Sequence, residues 1–165
     1  MEFISHTLEW YKGEVFEALI SLGAGVALTL IAMIFWGLGS TPGAQAMVIP
    51  LVLIGLILAG SGTYGTYSNQ RQITQYQQNP PLEIASFIQA EKERVEGFQS
   101  LYTFTKYLAL GLFATAVCIF FFTQNRYWQA AAIAMVVLGL SGLVIDFFSK
   151  ERADSYYEVI LQQNH

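Results

Sequence analysis

Between Glu17 and Arg71 the chain runs for 53 residues without a single Asp, Glu, Lys or Arg. Two further runs of 19 uncharged residues separate Lys106 from Arg126 and Arg126 from Asp146. Soluble domains carry roughly 25% charged residues; here the figure is 12%, and those charges are segregated into a few segments. Such runs exclude an ordinary soluble globule and a disordered chain, and a net charge of -4 gives no attraction to nucleic acid. They predict an all-α, polytopic membrane protein.

A hydrocarbon core of ~30 Å needs about 20 apolar residues at a rise of about 1.5 Å each. Four segments supply this: residues 18–38, 44–64 with Pro50 near its start, 103–123 with Lys106 near one end, and 127–148. Gly39–Gly43, containing Pro42, and Gln124–Arg126 read as tight turns, and residues 65–102 form the long connector. Residues 1–165 thus read as one integral membrane domain, a four-transmembrane-helix bundle.

Orientation follows from the cations. Lys12, Arg71, Lys92, Arg94, Lys106, Lys150 and Arg152 fall on one side of the predicted spans, and Arg126 falls alone on the other. The positive-inside bias places both termini and the connector in the cytoplasm, with a bacterial cytoplasmic membrane as the expected location. Aromatic residues mark the borders, Phe35, Trp36, Tyr127 and Trp128 outside and Tyr64, Tyr67, Tyr107, Phe147 and Phe148 inside. The segment Met1–Tyr11 holds two glutamates and no cation, so no cleaved signal peptide is expected.

The cytoplasmic segments carry helical signals of their own. Asn79-Pro80-Pro81-Leu82-Glu83 reads as a helix start, followed by Ile84, Phe87, Ile88, Val95, Phe98 and Tyr102 at helical spacing. Glu91 interrupts that stripe where an apolar residue would fit. Ile4, Leu8, Tyr11, Val15 and Ala18 form a similar register ahead of the first span, and residues 149–163 extend the fourth. The helices are therefore expected to project into the cytoplasm. The exits of the second and fourth spans, Tyr67-Ser68-Asn69-Gln70-Arg71 and Phe148-Ser149-Lys150-Glu151-Arg152, read alike at an offset of 81 residues that also pairs Tyr76 with Tyr157. Two tandem helical hairpins related by duplication is one reading; the other is that inner borders commonly run aromatic, polar, basic.

Three groups of residues are candidates for function. Lys106 and Asp146 share a depth across the second hairpin, where they would serve as an ion relay or as a border ion pair fixing two helices. Glu14, Glu17, Arg71, Arg94, Glu96 and Arg152 ring the inner border, either as contacts for lipid headgroups or a partner or as a solvated collar. Gly55, Ala59 and Thr63 recur every four residues and, with Gly139 and Gly142, suit close helix packing, within the chain or between copies of it. The letters G-x-G-x-x-G at Gly60–Gly65 close a span rather than join a strand to a helix, so they do not signal a dinucleotide. No histidine accompanies the serines of the spans. His6, His165 and Cys118 are too few and too scattered for a zinc or haem site. No cofactor is expected.

Four spans in this length resemble the small glutathione- and eicosanoid-handling membrane enzymes, and Glu93-Arg94-Val95 is similar to their arginine-bearing helix start. The run precedes the third span here and lacks the asparagine and glutamate that follow it in that family, so the resemblance carries no activity over. The expected function is a non-enzymatic scaffold or accessory subunit that acts through its charged helical extension. It would be held by membrane lipids and by copies of itself or a larger membrane complex. A small oligomeric channel or transporter and a lipid-binding or lipid-modifying enzyme are the alternatives.

Overall fold

The computed structural model describes residues 2–163, with side chains at all of them except 2, 99 and 100. His165 lies outside the described residues. Four helices follow one another, α1 (Glu2–Leu38), α2 (Pro42–Gln78), α3 (Ile84–Phe122) and α4 (Arg126–Gln163). At a rise of 1.5 Å per residue each is about 55 Å long, nearly twice the thickness of a bilayer core. All four are long and apolar enough to span a membrane.

Local chemistry sets the breaks. The Gly39 N–H closes on Phe35 O at 3.0 Å, and two residues later Thr41 caps α2, its hydroxyl accepting from Ala44 N at 3.2 Å. Pro42 then takes the first helical position, where its missing N–H costs nothing, so α2 begins two residues earlier than the sequence reading placed the second span. Pro80 and Pro81 stop α2, and Asn79 N–H bonds back to Gln75 O at 2.8 Å. Asn125 Oδ1 accepts from Tyr127 N at 2.9 Å and opens α4.

The helices form two antiparallel hairpins, α1 with α2 and α3 with α4. The first is the tighter. A β carbon on Gly25 would lie 2.5 Å from Gly55 O and 2.9 Å from Ala59 Cα; one on Gly62 would lie 2.5 Å from Ala18 O. The backbones of α1 and α2 are in direct contact along this seam, and Ser21 Oγ donates across it to Leu58 O at 3.1 Å. In the second hairpin Gly139 receives the ring of Phe113, a looser, side-chain contact. Gly55 and Gly139 are thus spent within their hairpins, and Gly142 stands against Thr105. Thr63 is exposed, its hydroxyl turned back onto Ala59 O at 2.7 Å.

α4 joins the halves, but not with the same neighbour throughout. In the apolar half Ile54 and Leu58 of α2 pack on Ala134, Val137 and Leu138. In the charged half α1 is the partner, with Trp10 stacked on Tyr156 and Gly13 lying under the side chain of Arg152. Among the described residues no α carbon of α3 comes within 8 Å of one in α1 or α2. α3 is held to the first hairpin by long side chains alone.

Candidate functional site

The charged half is built around one aromatic cluster to which all four helices contribute. Phe3, Trp10 and Tyr11 come from α1, Ile88 and Val95 from α3, and Tyr156 and Ile160 from α4, with Ile73 and Tyr76 of α2 packed against them. Phe87 of α3 makes edge contacts with Phe3 and Tyr76, at 5.7 and 5.2 Å between ring centroids. The N-terminal register read from the sequence holds at Tyr11, which is buried, but Phe3, Thr7 and Trp10 are buried one position ahead of it, while Ile4 and Leu8 are only half-buried. The rings of Phe3 and Trp10 offer more apolar area than the aliphatic residues beside them and take the interior, and Thr7 joins them through its hydrogen bonds to Phe3 O and Tyr156.

Inside this cluster lies a charge pair. Glu91 is 3% exposed, on the apolar stripe that it interrupts in the sequence. Arg94, one turn further along α3, forms a two-pronged ion pair with it, Nε reaching Oε1 at 3.2 Å. Tyr156 donates to Glu91 Oε2 at 3.1 Å, and the single proton of the Thr7 hydroxyl is shared between Phe3 O at 3.1 Å and the Tyr156 oxygen at 2.7 Å. The guanidinium carbon sits 4.3, 5.1 and 5.6 Å from the ring centroids of Trp10, Tyr11 and Phe98. Weakly hydrated and planar, a guanidinium suits such an aromatic setting better than an ammonium. Burial works against the charge of Arg94, but the Glu91 carboxylate more than offsets it and holds the arginine's proton more tightly than usual. Burial also pushes the hydroxyls of Tyr11, Tyr76 and Tyr156 above the ordinary phenol value, and the negative charge of Glu91 adds to this.

The remaining candidates of the inner-border ring divide. Arg152 reaches from α4 to α1 and pairs with both Glu14 and Glu17, at 3.1 and 2.7 Å. Gly13 makes this possible, since a β carbon there would lie 2.8 Å from Arg152 Nε. Glu96 accepts from Tyr157 at 2.7 Å and lies 4.0 Å from Lys92. Arg71 is exposed on α2, away from these pairs. The ring therefore divides into a clasp between α1 and α4 at Arg152, the pairing of Arg94 with Glu91 within α3, a contact from Glu96 to Tyr157 of α4, and surface charge at Arg71.

Lys106 and Asp146 are not joined. Lys106 is exposed and forms no ion pair with Asp146, which is half-buried beside Thr105 and attracted to the ammonium only through space. One of its oxygens, Oδ2, is buried without a hydrogen-bond partner. Asp146, Glu14 and Ser149 line two small cavities, of about 200 and 180 Å³, that lie on either side of them. Two features escaped the sequence reading. The interruption at Glu91 was a signal for a buried ion, since Arg94 stands one turn away; the convergence of Trp10, Tyr11 and Tyr156 left no mark in the spacing of any single helix.

Compared with protein-family models, with curated proteins and with solved structures, the chain finds no match.

Proposed function

We propose that the protein is a non-enzymatic scaffold or accessory subunit of a bacterial cytoplasmic membrane, with both termini and the α2–α3 connector in the cytoplasm. Seven of its eight Lys and Arg residues belong to the charged half, and only Arg126 stands at the turn end, which supports that orientation. The observation that carries the functional reading is the shared core of the charged half. Charged and hydroxyl groups that could do chemistry, Glu91, Arg94, Thr7 and Tyr156, are engaged with one another in holding α1, α3 and α4 together. The result is a stalk about 20–25 Å tall, by the length of helix left over once a bilayer is spanned. Its surface exposes Glu9, Glu83, Glu93, Glu96, Glu151 and Glu158 alongside Lys12, Arg71 and Lys150, an acidic excess suited to a basic segment of a partner.

The test is gentle extraction from native membrane followed by intact-mass measurement. Copies of the chain or companion subunits travelling with it, and lost when Glu93 and Glu158 are replaced by Lys, are the expected result. A lone chain would overturn the reading. So would ion flux into liposomes that disappears in Asp146→Asn, which would make the protein a transporter.

A further inference from the structure

The switch of α4 from one partner to another leaves a gap. α1 lies against α4 in the charged half at Gly13 and Arg152, and in the apolar half Leu28 packs with α4 only as part of the cluster around Ile54, Leu58 and Ala134. Two cavities lie between them, each lined by residues of both helices. The first, of about 200 Å³, lies at the inner border and mixes polar and apolar lining, with Glu14, Glu17, Ser61, Asn69, Asp146 and Ser149 in its wall. The second, of about 280 Å³, continues between α1 and α4 toward the turn end, lined by Ala24, Leu58, Leu140 and Val144. Ser21 and Ile145 belong to both walls, so the spaces adjoin. Leu140 and Val144, 51% and 55% exposed, put the apolar part at the lateral surface of the bundle, open to the bilayer.

A chamber carrying polar groups at headgroup depth that opens into an apolar slot in the leaflet has the polarity profile of a lipid. Charge selects which kind. Three carboxylates line the chamber, against Arg152, which clasps two of them from the side, and Lys106, which acts on Asp146 from outside the lining. One negative charge remains, so a headgroup of net negative charge is repelled and the ammonium end of a zwitterionic one attracted. Among the described residues no three carboxylate, histidine or cysteine side chains are grouped to hold a metal ion. Asp146 Oδ2 is buried and lacks a donor, and a primary ammonium brings three, whereas a trimethylated one brings none.

From these observations we infer that the composite cavity seats one inner-leaflet lipid with a primary-ammonium headgroup, of the phosphatidylethanolamine type. The ammonium sits by Asp146 and the start of one acyl chain lies between α1 and α4. The inference rests on the orientation proposed above, and it assigns the scaffold a lipid that fills the wedge between its hairpins.

The full chain, reconstituted in equal parts of phosphatidylethanolamine, phosphatidylcholine and phosphatidylglycerol, is stripped by detergent and its retained lipid weighed by native mass spectrometry. The expected result is about tenfold enrichment of phosphatidylethanolamine over the other two. Asp146→Asn should bring the ratio near one while leaving helix content unchanged, and Ala24→Phe, which fills the slot, should release all three lipids. Equal retention by the unaltered protein overturns the inference without depending on any variant, and so does enrichment that survives Asp146→Asn. Free ethanolamine at millimolar concentration should fail to displace the lipid; displacement would make a soluble amine the occupant and overturn the lipid seat. A chain blind to headgroup that still carries its companion subunits would remove this inference and leave the scaffold standing.

Discussion

At the scale of single residues, the Glu91–Arg94 pair decides how the charged half holds. Removing one member of a buried pair strands the other, at about 3–5 kcal/mol. Glu91 is almost wholly buried and Arg94 only three-quarters so. Arg94→Ala, which strands the more buried partner, should therefore cost about 3 kcal/mol or more, read as a fall in the thermal midpoint in detergent. Replacing both, Glu91→Leu with Arg94→Met, should recover most of the loss, because two apolar side chains suit the cluster around them. The tyrosines give a second readout. In the folded protein Tyr11, Tyr76 and Tyr156 hold their protons above the ordinary value of about 10, so the folded state favours the neutral phenol. Their contribution is complete below pH 10 and is lost as the pH rises through the folded values. Absorbance titration near 295 nm should show these three phenols, with Tyr102 and Tyr157, which are raised as well, lagging behind the other tyrosines; if all the tyrosines titrate together, the cluster is not closed. Glu91 was legible in part, as a polar residue on an apolar stripe. What the stripe could not reveal was its donor on α4, because Tyr156 lies 65 positions away in the chain.

At the scale of elements, the seam between α1 and α2 separates glycines that pack from glycines that do not. Gly25 and Gly62 face the opposing backbone, while Gly23 and Gly60, on the same helices, face open space. Gly25→Leu should separate the helices and cost upwards of about 1–3 kcal/mol of overpacking, whereas Gly23→Leu should be neutral or mildly stabilising, since leucine is the better helix former. Thermal unfolding of the two variants side by side decides the matter. Equal effects would mean the seam is misplaced. The sequence exposed the theme of small residues but not its direction. Gly55, Ala59 and Thr63 share a four-residue period, yet the helix drifts about 40° over each four residues, and by Thr63 the face has turned outward, so that Gly62 takes the place at the seam.

At the scale of the molecule, all four long apolar helices and their breaks were readable, since charge-free length and proline punctuation are local signals. The pairing of helices was not, because several arrangements satisfy the same four stripes. The hairpin turns add something the text of the chain obscures. Leu38 and Phe122, and likewise Pro42 and Arg126, are each 84 residues apart. At that offset buried Gly25 matches Ala109, Ala32 matches Ala116, Ala46 matches Ala130, and Gly55 matches Gly139. The two halves thus share a register of small interior residues at 84, not at the 81 suggested by the span exits. Reporters fused at residue 1, within the connector and at residue 165 should all label one face of the membrane; labels on opposite faces would invert half the bundle.

The unequal grip of the two hairpins has a consequence for how the chain is made. α1 and α2 interlock backbone to backbone before anything from α3 is needed, and α3 later touches them only through side-chain tips. During synthesis the leading pair can close while the trailing pair is still inside the ribosome, giving the second a finished surface on which to settle. Force measured on the nascent chain should therefore rise once as α2 leaves the exit tunnel and again, later, when Tyr156 reaches the pocket waiting for it.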